Sequence, residues 1–193
     1  MAKPAVFIDR DGTVNEQMGY INHIARFILL PGAAEAVRLL NAHGHLVIIV
    51  SNQSGVARGY FPIELVHQVH DRMQAMLANE NAHIDGVFFC PHYPTGKVPD
   101  YRLDCDCRKP RTGLIQKAFA HFDIERETSY VVGDRSSDIE MAHRAGLKSI
   151  LVQTGYGLGE INFVLPAVPF KPLYIARDLL HAVQWILRRN REN

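Results

Sequence analysis

Two aspartates separated by one residue, Asp9 and Asp11, follow the apolar run 5–8 and precede Gly12 and Thr13. At that spacing one carboxylate can attack while the other stands close enough to pass a proton, and the glycine lets backbone amides approach an anion. Comparable polar groups, Ser51-Asn52-Gln53-Ser54-Gly55 and Gly133-Asp134-Arg135-Ser136-Ser137-Asp138, follow the runs 46–50 and 130–132. A third carboxylate, Asp134, would complete an oxygen cage suited to Mg²⁺, which takes one or two carboxylates with phosphate oxygen and water. Phosphoryl transfer asks for such a set, because a dianionic phosphate and an anionic nucleophile repel until a metal and a fixed ammonium neutralise the developing charge. Lys109, in Cys107-Arg108-Lys109-Pro110, is the candidate ammonium. Any one of these clusters alone serves equally as a turn or a helix cap. The chemistry lies in their combination.

A second cluster uses different donors. Cys90-Pro91-His92 is followed by Cys105-Asp106-Cys107, which offers three thiolates and an imidazole, the donor set of a closed Cys₃His zinc site. The alternative is three small buried hydrophobes. Packing cysteines, however, have no reason to gather in one polar loop beside a histidine, and Cys105 and Cys107 are too close for an easy disulfide. Four protein ligands leave no open position for water, so zinc here is expected to be structural. It would staple the stretch 90–112 and set the reach of Lys109, which follows Cys107 by two residues. His67 and His70 also have ligand-like spacing, but no carboxylate cage accompanies them, and they are expected on a solvated helix face.

Positioning these groups requires a regular frame. Short β-rich runs at 5–8, 46–50, 86–89, 130–132 and 149–152 alternate with helical periodicity at 33–41, 63–77, 114–122 and 139–145, and a helix is expected over about 173–188. That rhythm predicts an α/β chain with a central parallel sheet between two helical layers, and in such sheets ligands bind beyond the carboxyl ends of the strands. Ser137-Asp138-Ile139-Glu140 has the form of a capping box, and Gly146 suits the left-handed position after a helix. Two stretches, 90–112 and 155–172, break the rhythm and are expected to be functional or packed loops. The apolar, proline-rich 164–170 should pack on the sheet edge, and the basic run 188–191 should be a solvated helix end.

The 193 residues suit one domain, 1–193, with a full core. A net charge of +1 provides no global field for nucleic acid or an anionic membrane. No apolar run approaches the roughly 20 residues that span a bilayer, and residues 1–4 lead directly into a strand, so a cytoplasmic location is expected. The three cysteines make a poor disulfide framework.

Taken in order, Asp9-x-Asp11-Gly-Thr, Ser51-Asn, Lys109-Pro and Gly133-Asp134-x-x-x-Asp138 resemble the four motifs of the haloacid dehalogenase (HAD) superfamily of aspartate-nucleophile phosphatases, over nearly all of residues 5–155. The resemblance implies a three-layer Rossmann-like HAD fold in which Asp9 attacks phosphorus and Asp11 protonates the leaving oxygen and then activates water. It also implies that Ser51 and Lys109 hold the phosphoryl oxygens. Mg²⁺ would sit on the Asp9 and Asp134 carboxylates and the Asp11 carbonyl, with Asp138 in support. Asp138 could instead be only a helix-start charge. Cys-Pro-His followed by Cys-Asp-Cys-Arg-Lys-Pro is further similar to the heptose bisphosphate phosphatases and to the phosphatase half of histidinol-phosphate enzymes. The long stretch 93–104, Gly19-Tyr20, and the run from Ser51 to Gly59 look like the heptose type. That likeness implies a small phosphorylated sugar as substrate, held by Gly19, Tyr20, Asn52, Gln53, Ser54, Arg108 and Arg135, with Arg108 gripping the phosphate that is not transferred. With no large cap domain evident, a monomer is expected.

Overall fold

The computed structural model describes residues 2–192, with side chains through Asn190, so the two chain-end residues of the expected domain 1–193 and the side chain of Arg191 lie outside it. The order of elements is β1 (Lys3–Ile8), α1 (Ala33–Ala42), β2 (Leu46–Asn52), α2 (Ile63–Ala78), β3 (Gly86–Cys90), α3 (Gly113–His121), β4 (Ile124–Gly133), α4 (Ser136–Arg144), β5 (Lys148–Val152), the single turn α5 (Gly157–Gly159), β6 (Tyr174–Ala176) and α6 (Leu179–Glu192). All strand pairs are parallel, in the order β3-β2-β1-β4-β5-β6.

Strand alternation sorts the apolar side chains into two layers. On one face Val6, Ile8, Val47, Ile49, Tyr130, Val132, Ile150 and Val152 pack against α1, α2 and α6 through residues such as Val37, Leu40, Met73 and Val183. On the other, Ala5, Phe7, Ile48, Val50 and Val131 meet Leu114, Ile115 and Ala118 of α3 and Met141 and Ala142 of α4. Burial on both faces is why these strands are continuous apolar runs rather than alternating ones. It gives the three-layer Rossmann-like arrangement.

Some expectations need correction. The helix expected over 173–188 divides: Leu151 and Val152 pair with Ile175 and Ala176 of β6, and the helix begins only at Leu179. The stretch 155–172 is not plain loop but short helical turns, among them 160–164 and 165–167, and it buries Leu165 against Ile139 and Leu151. The capping box sits two residues earlier than expected. Arg135 is the N-cap, and its backbone N–H donates to Asp138 Oδ2 at 3.2 Å, while Glu140 pairs instead with Arg144. Gly146 does take the left-handed conformation, with φ of +67°. Near the end of α6, Asn190 is not merely solvated, since its side chain meets His45 and Tyr130.

Candidate active site

Strand order reverses at β1, whose neighbours are β2 and β4, so ligand-binding loops gather at the carboxyl ends of these strands. Asp9 follows β1, Ser51 and Asn52 end β2, and Asp134 follows β4. Lys109 arrives from the long 90–112 stretch. Its backbone N–H donates to Asn52 Oδ1 at 3.0 Å and its carbonyl accepts from Asn52 Nδ2 at 3.2 Å, which ties that loop to the end of β2.

The buried Lys109 ammonium lies 2.7 Å from Asp9 Oδ1 and 2.6 Å from Asp138 Oδ1, and donates to the Val50 carbonyl at 3.0 Å. One cation therefore serves three buried carboxylates, because Asp134 lies beside the other two and has no access to solvent. Burial raises the Asp9 pKa to about 6; Lys109 works against the rise, and Asp138 and Asp11 add to it. Burial also raises Asp134, to about 8, with Asp9 and Asp138 contributing. The opposite holds at Asp11. Burial disfavours its charge, but the Arg10 guanidinium and hydrogen bonds from Asn15 and Gln53 hold it below the ordinary carboxylate value.

Excess negative charge in a dry place invites a cation. One donor oxygen from each of Asp9, Asp134 and Asp138 lies within 4.8 Å of the others, and Asp134 Oδ1 is buried without a hydrogen-bond partner. The donor set is all oxygen, which fits a hard divalent ion. Gly12 allows the approach. With φ at +89°, it has Asp134 Oδ2 only 2.1 Å from where a Cβ would stand, so a side chain there would collide with the carboxylate.

Raised carboxyl pKa values have a thermodynamic consequence. A carboxyl that binds protons more readily folded than unfolded costs stability above its folded pKa, and the cost fades as pH falls through that value. His45 and His70, lowered by burial, oppose the trend only as pH enters the ordinary histidine range. The Cys107 thiol, held low, also opposes it between neutral pH and the ordinary thiol range, so the sign is read from the metal: with Asp134 near 8, Mg²⁺ should raise Tm more at about pH 8.5 than at about pH 7. Thermal scans in chelator and in Mg²⁺ check this. A Mg²⁺-induced rise in Tm that is no larger at about pH 8.5 than at about pH 7 removes carboxylate crowding as the cause.

The cleft over these carboxylates is lined by Gly19, Tyr20, Asn52, Ser54, Arg108 and Arg135, all expected there, and also by Gln17, Ser137 and Tyr156, which were not. Arg135 stacks over Tyr156 at 4.5 Å. Gln53 is not on the wall. Its amide turns inward, donating to Asp11 Oδ2 and Ser51 Oγ, each at 2.8 Å.

Beside the cleft, the second donor cluster closes up. Cys105 Sγ lies 3.4 Å from Cys90 Sγ and 3.1 Å from Cys107 Sγ, and His92 Nδ1 is 3.4 Å from Cys107 Sγ. All three cysteines are free, and the four donor atoms lie within 4.8 Å of one another, so the group could hold a zinc ion. Contact with Cys90 comes first among the causes that lower the Cys107 thiol to about 5, with Cys105 and His92 assisting, so a thiolate is already favoured there.

The expectation that His70 is solvated fails. It is buried, with its Nε2 at 3.2 Å from Arg10 Nη1 and its ring edge-on to Phe89. Only His67 is exposed.

The chain's sequence and fold are similar to those of known proteins. Residues 106–182 match the HAD-hydrolase-like family model. The chain is 43% identical over 190 residues to the D-glycero-D-manno-heptose-1,7-bisphosphate 7-phosphatase of Thermosynechococcus vestitus, covering 96% of each chain. It is 39% identical over 179 residues to the D-glycero-beta-D-manno-heptose-1,7-bisphosphate 7-phosphatase of Pasteurella multocida, covering 90% of this chain and 97% of that one. Its fold superposes with a TM-score of 0.84, at 30% identity and with 96% and 99% of the two chains covered, on the crystal structure of the D,D-heptose 1,7-bisphosphate phosphatase of B. bronchiseptica, complexed with magnesium and phosphate.

Proposed function

The chain belongs to the heptose-1,7-bisphosphate 7-phosphatase family of HAD-type hydrolases, and from that premise we propose that it removes the C7 phosphate of D-glycero-D-manno-heptose 1,7-bisphosphate through an aspartyl phosphate on Asp9. The observation that carries the mechanism is the Lys109 ammonium held on Asp9 and Asp138 directly beneath a cleft that also contains two guanidinium groups.

The Asp9 carboxylate attacks phosphorus, and Asp11, ionised in the free protein, takes up a proton as the dianionic phosphate arrives beside it and gives it to the departing sugar oxygen. Asp11 then takes a proton from the water that cleaves the acyl phosphate, which returns Asp9 and releases inorganic phosphate. Ser51 and Lys109 hold the transferred oxygens. Asp9, Asp134 and the Asp11 carbonyl would hold Mg²⁺, supported by Asp138, and the ion's charge offsets the repulsion between nucleophile and phosphate. Cys90, His92, Cys105 and Cys107 would hold zinc, which keeps the loop carrying Lys109 in register. Arg108 pairs with the phosphate that stays, while Gly19, Tyr20, Asn52, Ser54 and Arg135 shape the sugar site and Gln53 orients Asp11 and Ser51.

In this reading residues 1–193 act as one domain and as a monomer, on a small phosphorylated sugar rather than on nucleic acid or membrane. The product serves as a precursor of nucleotide-activated heptose for surface glycan, made in the cytoplasm. Among the described residues no helix is long and apolar enough to cross a membrane. Rates of phosphate release over α- and β-heptose bisphosphates, fructose 1,6-bisphosphate and histidinol phosphate test the assignment. A heptose bisphosphate should lead histidinol phosphate, which has no second phosphate for Arg108, by about a hundredfold in kcat/KM. Preference for histidinol phosphate would overturn it.

A further inference from the structure

Arg10 is the largest fully buried side chain among the described residues, and nothing in the chemistry above uses it. Its Nη2 lies 2.9 Å from Asp11 Oδ1 and 2.8 Å from Oδ2, and its Nε lies 3.3 Å from Oδ1. The other terminal nitrogen, Nη1, faces His70 Nε2 at 3.2 Å. A guanidinium can only donate, so His70 Nε2 must accept, which places the imidazole proton on Nδ1 and leaves the ring neutral. Asn15 Nδ2 and Gln53 Nε2 complete the surround of the Asp11 carboxylate, at 3.0 and 2.8 Å.

A planar fork seated on both carboxylate oxygens fixes rotation about the last bond of the aspartate, which a single contact would not do. The fork itself must be held from behind. Arg10 stands just beyond the end of β1 and His70 on the inner face of α2, sixty residues away, where Phe89 braces the ring. We propose that Arg10 and His70 are positioning residues: His70, acting through the Arg10 fork, aims the Asp11 carboxyl at the leaving-group oxygen. This rests on the acid–base reading of Asp11.

In transfer of the phosphoryl group to Asp9, the stage that kcat/KM reports, correct aim matters only when the leaving group needs a proton; the later hydrolysis of the aspartyl phosphate is common to all substrates. The sugar alkoxide leaves as an alcohol, with its proton supplied by Asp11, whereas nitrophenolate is stable without one. A loss of aim should therefore lower kcat/KM for the sugar phosphate and spare kcat/KM for p-nitrophenyl phosphate. A general loosening of the fold would slow both.

The test compares kcat and KM of His70→Leu, His70→Gln and Arg10→Lys on the heptose bisphosphate and on p-nitrophenyl phosphate, with Asp11→Asn as reference. For His70→Leu we expect kcat on the sugar to fall about tenfold with KM unchanged, and kcat/KM on p-nitrophenyl phosphate to stay within about twofold. His70→Gln, whose side-chain oxygen can stand where Nε2 stood, should restore most of the sugar rate. Arg10→Lys, which keeps the charge but loses the fork, should show the same split if His70→Leu does not fold. Equal losses on both substrates, or no loss in His70→Leu, would overturn the proposal. If Asp11→Asn itself shows no such split, the acid–base reading of Asp11 fails instead.

Discussion

Asp9→Asn should lower phosphate release by more than about 10³-fold while leaving the protein folded and at least as stable as before. The amide has the shape of the carboxylate and keeps an oxygen for the Lys109 ammonium, which stands 2.7 Å from Asp9 Oδ1. What disappears is the charge that attacks phosphorus. The same charge is a burden to the folded state, because burial and Asp138 both disfavour it, and its removal relieves Asp134 as well. Activity and stability should thus move in opposite directions, as expected for a group kept for its chemistry rather than its packing. Steady-state phosphate release at saturating Mg²⁺, beside a thermal scan, measures both. Activity within tenfold of the parent would exclude Asp9 as the nucleophile.

Lys109→Met should damage both at once. Its ammonium neutralises Asp9 and Asp138 at 2.7 and 2.6 Å from inside the protein, and methionine would fill similar volume without charge. Removing one partner of a buried ionic group leaves the others uncompensated and typically costs about 3–5 kcal/mol. Burial by itself would lower the Lys109 pKa, but Asp138 and Asp9 overcome it and hold the group above the ordinary lysine range. The sign then follows: its contribution is fully present below the ordinary lysine value and is lost only in strong alkali, so the deficit of the variant persists across the neutral range. Turnover should fall by about 10²–10³-fold, as for loss of one fixed donor to a developing oxyanion. Denaturant melts and initial rates check the pair of effects. A variant with unchanged stability would mean that the buried carboxylates find their compensation elsewhere.

Much of this was readable along the chain because the relevant signals are local. Strands buried on both faces are continuous apolar runs, and Asp9, Asp11, Ser51, Asp134 and Asp138 sit within a few residues of where those runs stop, whereas Lys109 was marked by its place just past the cysteine cluster. The cysteine cluster was legible for the same reason, since Cys90, His92, Cys105 and Cys107 occupy one segment and form one group in space. What escaped depended on partners distant in sequence. β6 has only three residues, too few for a period to show, and becomes a strand because β5 offers it an edge. His70 looked solvated because nothing in α2 indicates that its side chain meets Arg10. Gln53 belongs to a polar run, and only the position of Asp11 decides that it turns inward. Tyr156 reaches the cleft rim because its backbone N–H is tied to Asp134 Oδ2 at 2.8 Å.

The central place of β1 also bears on how the chain is made. Residues 9, 51, 109 and 134 come from both halves of the sheet, and the pair Lys109 and Asp9 alone closes a separation of 100 residues. A nascent chain released through β3 already carries Asp9 and Asp11, but it has neither the ammonium nor Asp134 and Asp138, and β1 lacks one of its two neighbours. Such long-range pairing is slow and comes late in folding. Catalytic competence is therefore withheld until β4 has docked, so the ribosome exposes no half-built phosphatase to the metabolites around it.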